Sequence, residues 1–431
     1  MILANDNKQP TAVRLDEKDH VENPLLDQLA GLGWTVFRLE LVQTPEQSFR
    51  QSFDDVVLGP KLEEALRKIN PFLTADQLAE VVDRITNFTV ANLIENNRRV
   101  LSLLLENTTV SLNTLTGEPS PTVRYVDFQS PANNSFVAIS QFKLRVPGTD
   151  HHIIPDVILF LNGLPVVVIE AKSPRVHEAV AEAIDQLLRY SQQRGDAPEG
   201  NRSLFYYNQF VVATCRDVAK FGTITTNIEK YFFRWLDPYP LTLDELAHGG
   251  NTTPNDQQRL VAGMCAPQNM LDLLRAFTIF GLDDRGQDVK IVARYQQFRA
   301  VKLIIKRLLD GKNRAERSGI VWHTQGSGKS LTMMFTVREM RRYTELSSWK
   351  VVFVTDRVQL QDQLMGTGQA VGYTVKEADS IPKLKHLLKN DSPDLVLAMM
   401  QKFQDRDLQG IFPELNTHPN ILLMIDEAHR T

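Results

Sequence analysis

From Pro24 to Leu32 the apolar side chains Leu25, Leu26, Leu29 and Leu32 recur at the spacing of one helical face, and Gly31 and Gly33 mark where that face ends. The same periodicity predicts helices over Leu62–Ile69 and Ala75–Phe88, whereas Thr108–Pro121 is rich in Thr, Ser, Asn, Gly and Pro and reads as a loop. The pattern then changes period. Phe136–Ile139, Val157–Leu161, Val166–Ile169 and Phe210–Thr214 are short apolar or β-branched runs bounded by Pro, Gly or Asn, which predicts strands, with a helix over Val176–Ser191 between them.

Asp237–Pro267 is enriched in Pro, Gly, Asn and Thr and is the best linker candidate. Beyond it, helices are predicted over Met270–Phe280 and Gln296–Leu309, and buried strands over Gly319–Trp322, Val351–Thr355 and Ile421–Ile425. Strand and helix alternate there as in a parallel α/β sheet. No internal repeat or low-complexity tract interrupts the chain.

With 431 residues the chain exceeds one ordinary core, and 42% hydrophobic with 23% charged residues is a globular composition. A net charge of −4 gives no global signal for nucleic acid, so any such role must rest on local sites. Two cysteines, Cys215 and Cys265, exclude a disulfide framework and a paired zinc motif. The first residues lack the apolar stretch of an export signal, and Val157–Ile169 is broken by Asn162, Gly163 and Pro165, too soon for a bilayer span. The expectation is a cytoplasmic protein without a membrane segment.

The run Gly319–Ser330 places an apolar segment before a glycine turn and a Met-rich helix after it, the context of a phosphate-binding loop. Thr324, Gly326, Ser327, Gly328, Lys329 and Ser330 are the candidate ATP-binding residues. Gly326 and Gly328 let backbone N–H groups approach phosphate, Lys329 supplies charge, and Ser330 can ligate Mg²⁺. His323 stands where the motif has its first glycine. At Ile421–His429 an apolar strand ends in Asp426 and Glu427. Asp426 would hold the metal through water, Glu427 would orient or deprotonate the attacking water, and His429 would couple the site to neighbouring motifs. Together the two motifs resemble a superfamily 2 helicase or translocase with a DEAH box. The resemblance extends to Arg294–Gln297 as an adenine-recognising Q motif, with Gln297 either the contact or a surface glutamine at a helix start. It extends also to Val354–Arg357 and Met400–Phe403 as DNA-contacting segments.

Pro155-Asp156 followed by Glu170-Ala171-Lys172 has the form of a PD-(D/E)xK nuclease. Residues two apart on a strand share a face, so Glu170 and Lys172 project together, and Asp156 with Glu170 could bind Mg²⁺ beside the ammonium. A plain two-residue Asn162-Gly163 hairpin would pair Asp156 with Ile169 and send it to the other face from Glu170. The expectation is therefore a three-residue loop, Leu161-Asn162-Gly163, with Asp156 opposite Val168; another odd-length slip near Pro165 would serve equally. Gln186 and Tyr190, four apart on a predicted helix, form the QxxxY pattern that accompanies such nucleases in type I restriction subunits. Glu22 is either an extra nuclease acid or a carboxylate favoured at a helix N-terminus. His151 and His152, adjacent in an extended segment, point apart and make a poor metal site.

The order nuclease, Q motif, phosphate loop, DEAH box resembles the restriction (R, motor) subunit of a type I restriction–modification enzyme, over nearly the whole chain. The resemblance implies an α/β protein, with a PD-(D/E)xK endonuclease-like domain over 1–260, a linker or connecting helix over 261–289 and a first RecA-like helicase lobe over 290–431. It implies an incomplete motor, because the second lobe and its arginine would follow Thr431. It further implies ATP and Mg²⁺, double-stranded DNA as substrate, methylation (M) and specificity (S) subunits as partners, and S-adenosylmethionine only in the whole complex, in a bacterial or archaeal cytoplasm. The alternative is a stand-alone superfamily 2 DNA translocase or repair helicase whose first domain binds DNA without cutting it.

Overall fold

The computed structural model describes residues 16–111, 117, 120–195, 198–247, 253–283, 285–324, 326–356, 358–370, 372–403 and 414–426. The chain divides into two compact units, Met1–Arg275 and Ala276–Thr431.

The first unit is built on a mixed seven-stranded sheet whose strands lie side by side in chain order. They are β1 (Thr35–Arg38), β2 (Phe136–Ser140), β3 (Val157–Leu161), β4 (Leu164–Ala171), β5 (Phe210–Thr214), β6 (Ala219–Gly222) and β7 (Phe233–Arg234). The pairs β1/β2 and β4/β5 are parallel and the rest antiparallel. Every residue of β3, β4 and β5 is buried, as expected of central strands covered on both faces. One face is covered by helix α5 (Ala179–Tyr190), whose Ala183, Ile184, Leu187 and Leu188 join the core formed with Val137, Ile139, Ile158, Val168 and Val211. Helices α1 (Asn23–Gly31), α2 (Gly59–Ile69), α3 (Ala75–Thr86) and α4 (Leu93–Leu105) complete the part before the central strands. Of these, α4 was not visible in the periodicity.

The hairpin between β3 and β4 differs from the expected three-residue loop. Leu161 pairs with Leu164, leaving the two-residue turn Asn162-Gly163, with φ of 51° and 80°. Both central residues are left-handed, the requirement of a type I′ turn. The buried Asn162 amide donates to the Tyr125 carbonyl at 2.9 Å and accepts from Ser135 N–H at 2.7 Å. A Cβ on Gly163 would lie 2.7 Å from the Leu58 carbonyl oxygen, so the turn is held by its packing as well as its φ. The register then slips by one residue: Phe160 pairs with Pro165 but Leu159 with Val167, and Val166 is the extra residue of a β-bulge. Proline has no N–H for the ladder, and the irregularity falls beside it. Val157 pairs with Ile169, so Asp156 comes opposite Glu170 rather than Val168.

The stretch read as a linker is folded from Asn255 onward: Asp256–Leu260 is α-helical, Val261–Cys265 forms a π-turn, and these residues are largely buried. Trp34 Nε1 donates to the Cys265 carbonyl at 2.7 Å and Gln257 Nε2 to the Val21 carbonyl at 3.0 Å, so the polar composition reflects partners inside the unit. The helix read over Met270–Phe280 spans Pro267–Ala276 and gives way to a strand at Thr278.

The second unit begins with an antiparallel hairpin, Thr278–Leu282 with Asp288–Val292. Its main sheet has four parallel strands, β8 (Lys350–Thr355), β9 (Val375–Ala378), β10 (Leu395–Met399) and β11 (Ile421–Ile425), in the order β9-β10-β8-β11. Helix α6 (Tyr295–Asp310) packs against α7 (Lys329–Met340), tied by Lys302 Nζ to the fully buried Glu339 at 2.9 Å. The strand expected at Gly319–Trp322 is absent: residues 319–324 carry no regular structure, and Ile320 and Trp322 are 91% and 90% exposed. An apolar run becomes a strand only by pairing, and among the described residues no strand pairs with this one. No helix among the described residues is long and apolar enough to cross a membrane.

Candidate active site

Sequence places an acid at the start of β3 and an acid and a lysine around the end of β4, and the bulge brings them to one face. Asp156, Glu170 and Lys172 are 6%, 0% and 4% exposed. Lys172 Nζ donates to Glu170 Oε1 at 2.9 Å, and Asp156 Oδ2 accepts the Ala171 N–H at 2.8 Å. Among the described residues no hydrogen-bond donor reaches Glu170 Oε2.

The segment before α1 completes the cluster. Asn23 N–H bonds the Lys18 carbonyl, so Lys18–Glu22 is a π-turn, placed just before Pro24, which lacks the N–H for a regular helical bond. An i→i+5 turn stacks Glu17 near Glu22. Glu17, Glu22 and Asp156 each put a carboxylate oxygen within 4.8 Å of the other two, and all three are buried. Gln141, in left-handed conformation with φ of 53°, donates from Nε2 to Glu22 at 3.0 Å and to Asp156 at 3.3 Å. Ser173 N–H donates to Glu17 at 3.0 Å, and the Ser173 hydroxyl donates to the buried Asp16.

Burial and the neighbouring Asp156 charge push the Glu17 carboxyl up to about 7 and that of Glu22 up to about 8. Burial likewise raises Asp156 despite Lys172, and burial with the adjacent Asp156 raises Glu170 well above the carboxylate range. Burial alone would lower Lys172; the charges of Glu170, Asp156 and Glu17 outweigh it and raise the ammonium instead. Crowded buried acids with an unmatched carboxylate oxygen and no sulfur or imidazole ligand form a hard, all-oxygen donor set. That set fits a cation of the Mg²⁺ or Mn²⁺ class better than zinc. His152 is not in the cluster; its ring stacks edge-on against Phe53 at 5.6 Å.

On α5, Gln186 Nε2 donates to the Tyr190 hydroxyl at 2.5 Å, and Tyr190 donates to the Ile154 carbonyl at 3.4 Å. The pair thus holds the strand approach two residues before Asp156. Glu22, read as a helix start, lies within a helical segment that already includes Asp16 and Glu17. The residues missed in the sequence are Glu17, Gln141 and Ser173. Five-residue spacing on a regular helix points side chains well apart, so nothing short of the π-turn reveals Glu17.

In the second unit Gly326 and Gly328 are left-handed, with φ of 77° and 78°. Lys329, at the start of α7, places Nζ 4.0 Å from Oδ1 of the buried Asp426. Ser327 N–H bonds the carbonyl of the exposed Thr324 at 3.2 Å, and the buried Ser327 hydroxyl has no hydrogen-bond partner among the described residues. Ser330 follows Lys329 on the first turn of α7. Gln297 is 2% exposed, not a surface residue: Nε2 donates to the Ser327 and Gly328 carbonyls at 3.0 and 3.1 Å, and Oε1 accepts Arg294 N–H at 2.9 Å. Its amide therefore braces the loop. Glu427, His429 and Arg357 lie outside the described residues.

Residues 14–230 match the family model for the type I restriction enzyme R protein N terminus, and residues 296–431 match that for the SWI2/SNF2 ATPase. The chain is 31% identical over 427 residues to the type I restriction enzyme HindI endonuclease subunit of Haemophilus influenzae, covering 97% of this chain and 39% of that protein. It is 27% identical over 446 residues to the putative type I restriction enzyme MjaIXP endonuclease subunit of Methanocaldococcus jannaschii, covering 100% of this chain and 41% of that one. A Staphylococcus aureus subunit, SauCOLORF180P, is 25% identical over 71% of the chain. The chain thus spans about two fifths of the length of the first two relatives.

Proposed function

The chain belongs to the family of type I restriction enzyme R proteins, and from that premise we propose that its first unit cuts double-stranded DNA with a divalent cation while its second binds ATP for translocation. The observation that carries this reading is the convergence of Asp156, Glu170 and Lys172 in one buried cluster that leaves Glu170 Oε2 unmatched. On this reading the first unit is a PD-(D/E)xK nuclease and the second a RecA-like lobe.

Asp156 and Glu170 would hold Mg²⁺, with Glu22 as the added acid. A bound Mg²⁺ polarises the phosphodiester and makes its water more acidic. Lys172 sets a positive charge where charge develops on the phosphate. Gln186 and Tyr190 fix the Ile154 carbonyl and so the approach to Asp156. In the second unit Thr324, Gly326, Ser327, Gly328, Lys329 and Ser330 would cradle the ATP phosphates, with Asp426 holding Mg²⁺ and Glu427 directing water. Gln297 braces that loop and would face the adenine from there. The whole protein would work in the cytoplasm with methylation and specificity subunits, S-adenosylmethionine entering only through that complex.

The test is Lys172→Ala in the complete assembly. DNA cleavage is expected to fall by on the order of 100-fold or more, the scale of removing one transition-state charge partner, while DNA-stimulated ATP hydrolysis persists. Cleavage at the wild-type rate would remove the nuclease assignment.

A further inference from the structure

Just before Asp156 the chain forms a short antiparallel hairpin, Leu144–Arg145 with His152–Ile153, in which Arg145 pairs with His152. Phe142, Leu144, Val146 and Ile153 are buried and fix its core side. Lys143 and Arg145 alternate with them and project from the other face, half-buried. The segment Arg50–Asp55 is strapped against this hairpin. Arg145 N–H donates to the Phe53 carbonyl at 2.9 Å, and the buried Arg50 donates to the Asp55 and Lys143 carbonyls at 2.9 Å each. Around the Phe53 ring stand Lys143 Nζ at 5.0 Å and the Arg50 guanidinium at 5.7 Å. Arg50 thus bonds neutral oxygens, and among the described residues no carboxylate bonds Lys143 Nζ. Arg145 approaches Asp54 at 3.4 Å, but with side chains 42% and 60% exposed that pair is weak. Asp55 accepts instead from the Gln51 and Ser52 N–H groups. Burial and the charges of Lys143 and Arg145 hold the neighbouring His152 imidazole below its usual range, as a locally positive potential requires.

We propose that Lys143 and Arg145 seat the phosphate backbone of duplex DNA beside the strand-end acids and so set which phosphate reaches them. The proposal rests on reading those acids as a nuclease centre. Their carboxylates repel a phosphodiester, and a basic face on the adjoining hairpin offsets that repulsion. From His152, opposite Arg145, to Asp156 the extended chain covers about 13 Å, at about 3.3 Å per residue. Phosphates of one strand follow at about 3.4 Å along the duplex axis, so the seat holds the backbone roughly four phosphates from the acids. Contacts of this kind position the duplex without reading its bases.

Fluorescence anisotropy of a short labelled duplex bound by the full chain, in EDTA across a KCl series, tests this. EDTA withholds the divalent ion, so the DNA stays uncut and only K⁺ competes. Each neutralised phosphate adds about −0.9 to the slope of log affinity against log salt. Lys143→Gln and Arg145→Gln should each make the slope shallower by about 1, and the double variant by about 2, with weaker binding to every sequence alike. Either single variant reads the same point if the double fails to fold. Lys143→Arg combined with Arg145→Lys keeps both charges and should retain the wild-type slope. The seat is overturned by a glutamine double variant with the wild-type slope, by a charge-keeping variant that loses it, or by a wild-type chain that does not bind the duplex. If the seat fails in this way while Lys172→Ala still abolishes cutting in the complete assembly, the nuclease reading stands. If the slope falls as expected while Lys172→Ala cuts at the wild-type rate, the seat stands and the first unit holds DNA without cutting it.

Discussion

Glu170 is a carboxylate with no exposed surface inside an eight-residue apolar strand, a position that opposes ionisation unless a positive partner is present. Lys172 answers one of its oxygens and leaves the other. Glu17 and Glu22 share the strain, with carboxyls pushed to about 7 and about 8 from an ordinary 4.5. Their folded values lie above the unfolded ones, so the native state holds more protons between those limits. Without cation, the stability they contribute is complete below about pH 4.5 and is lost as pH rises through about 7 to 8. Urea unfolding in EDTA should therefore weaken across that window, the slope should shrink in Glu22→Gln, and saturating Mg²⁺ should flatten it by binding the ionised form. A wild-type slope unaffected by either change would mean these acids are not what titrates. Spacing and residue type single out Asp156, Glu170 and Lys172, which the fold brings together, and Gln186 and Tyr190, which it pairs with each other. Glu17 and Gln141 were not legible, because a π-turn and a left-handed glutamine bring them in, and neither leaves a periodic trace.

At the scale of elements, the site depends on parity. The two-residue turn alone would set Asp156 against the wrong face, and the bulge at Val166 corrects it. The need for a one-residue slip follows from chain alternation, which a three-residue loop or a slip near Pro165 satisfies equally, and the fold takes the second. Deleting Val166 should give a regular hairpin that still sets Asp156 opposite Glu170, so Mn²⁺ binding survives. Inserting a second valine after Val166 should push Glu170 out of register and abolish that binding at the strand ends, with the hairpin still formed. Equal Mn²⁺ binding by the insertion variant and wild type would contradict the parity argument. The run Gly319–Trp322 teaches the opposite lesson: its residues favour a strand, but composition cannot supply a neighbour to pair with. Asp256–Cys265 shows the same for polar sequence, since its glutamine and backbone groups find partners within the fold.

For the molecule as a whole, the two units are built on separate main sheets, one mixed and one parallel. Alternation of strand and helix announced the parallel sheet of the second unit, whereas the order of the mixed sheet followed from no local pattern. The family assignment covers the first unit through the R protein match and the second through the ATPase match. The proposed DNA cleavage requires a metal ion at the strand ends of the first unit. Its most direct test is anomalous X-ray scattering from crystals of the chain grown with Mn²⁺. The predicted result is a peak in direct contact with carboxylate oxygens of both Asp156 and Glu170. Crystals with Mn²⁺ elsewhere, and with Asp156 and Glu170 bound only to protein donors, would contradict it.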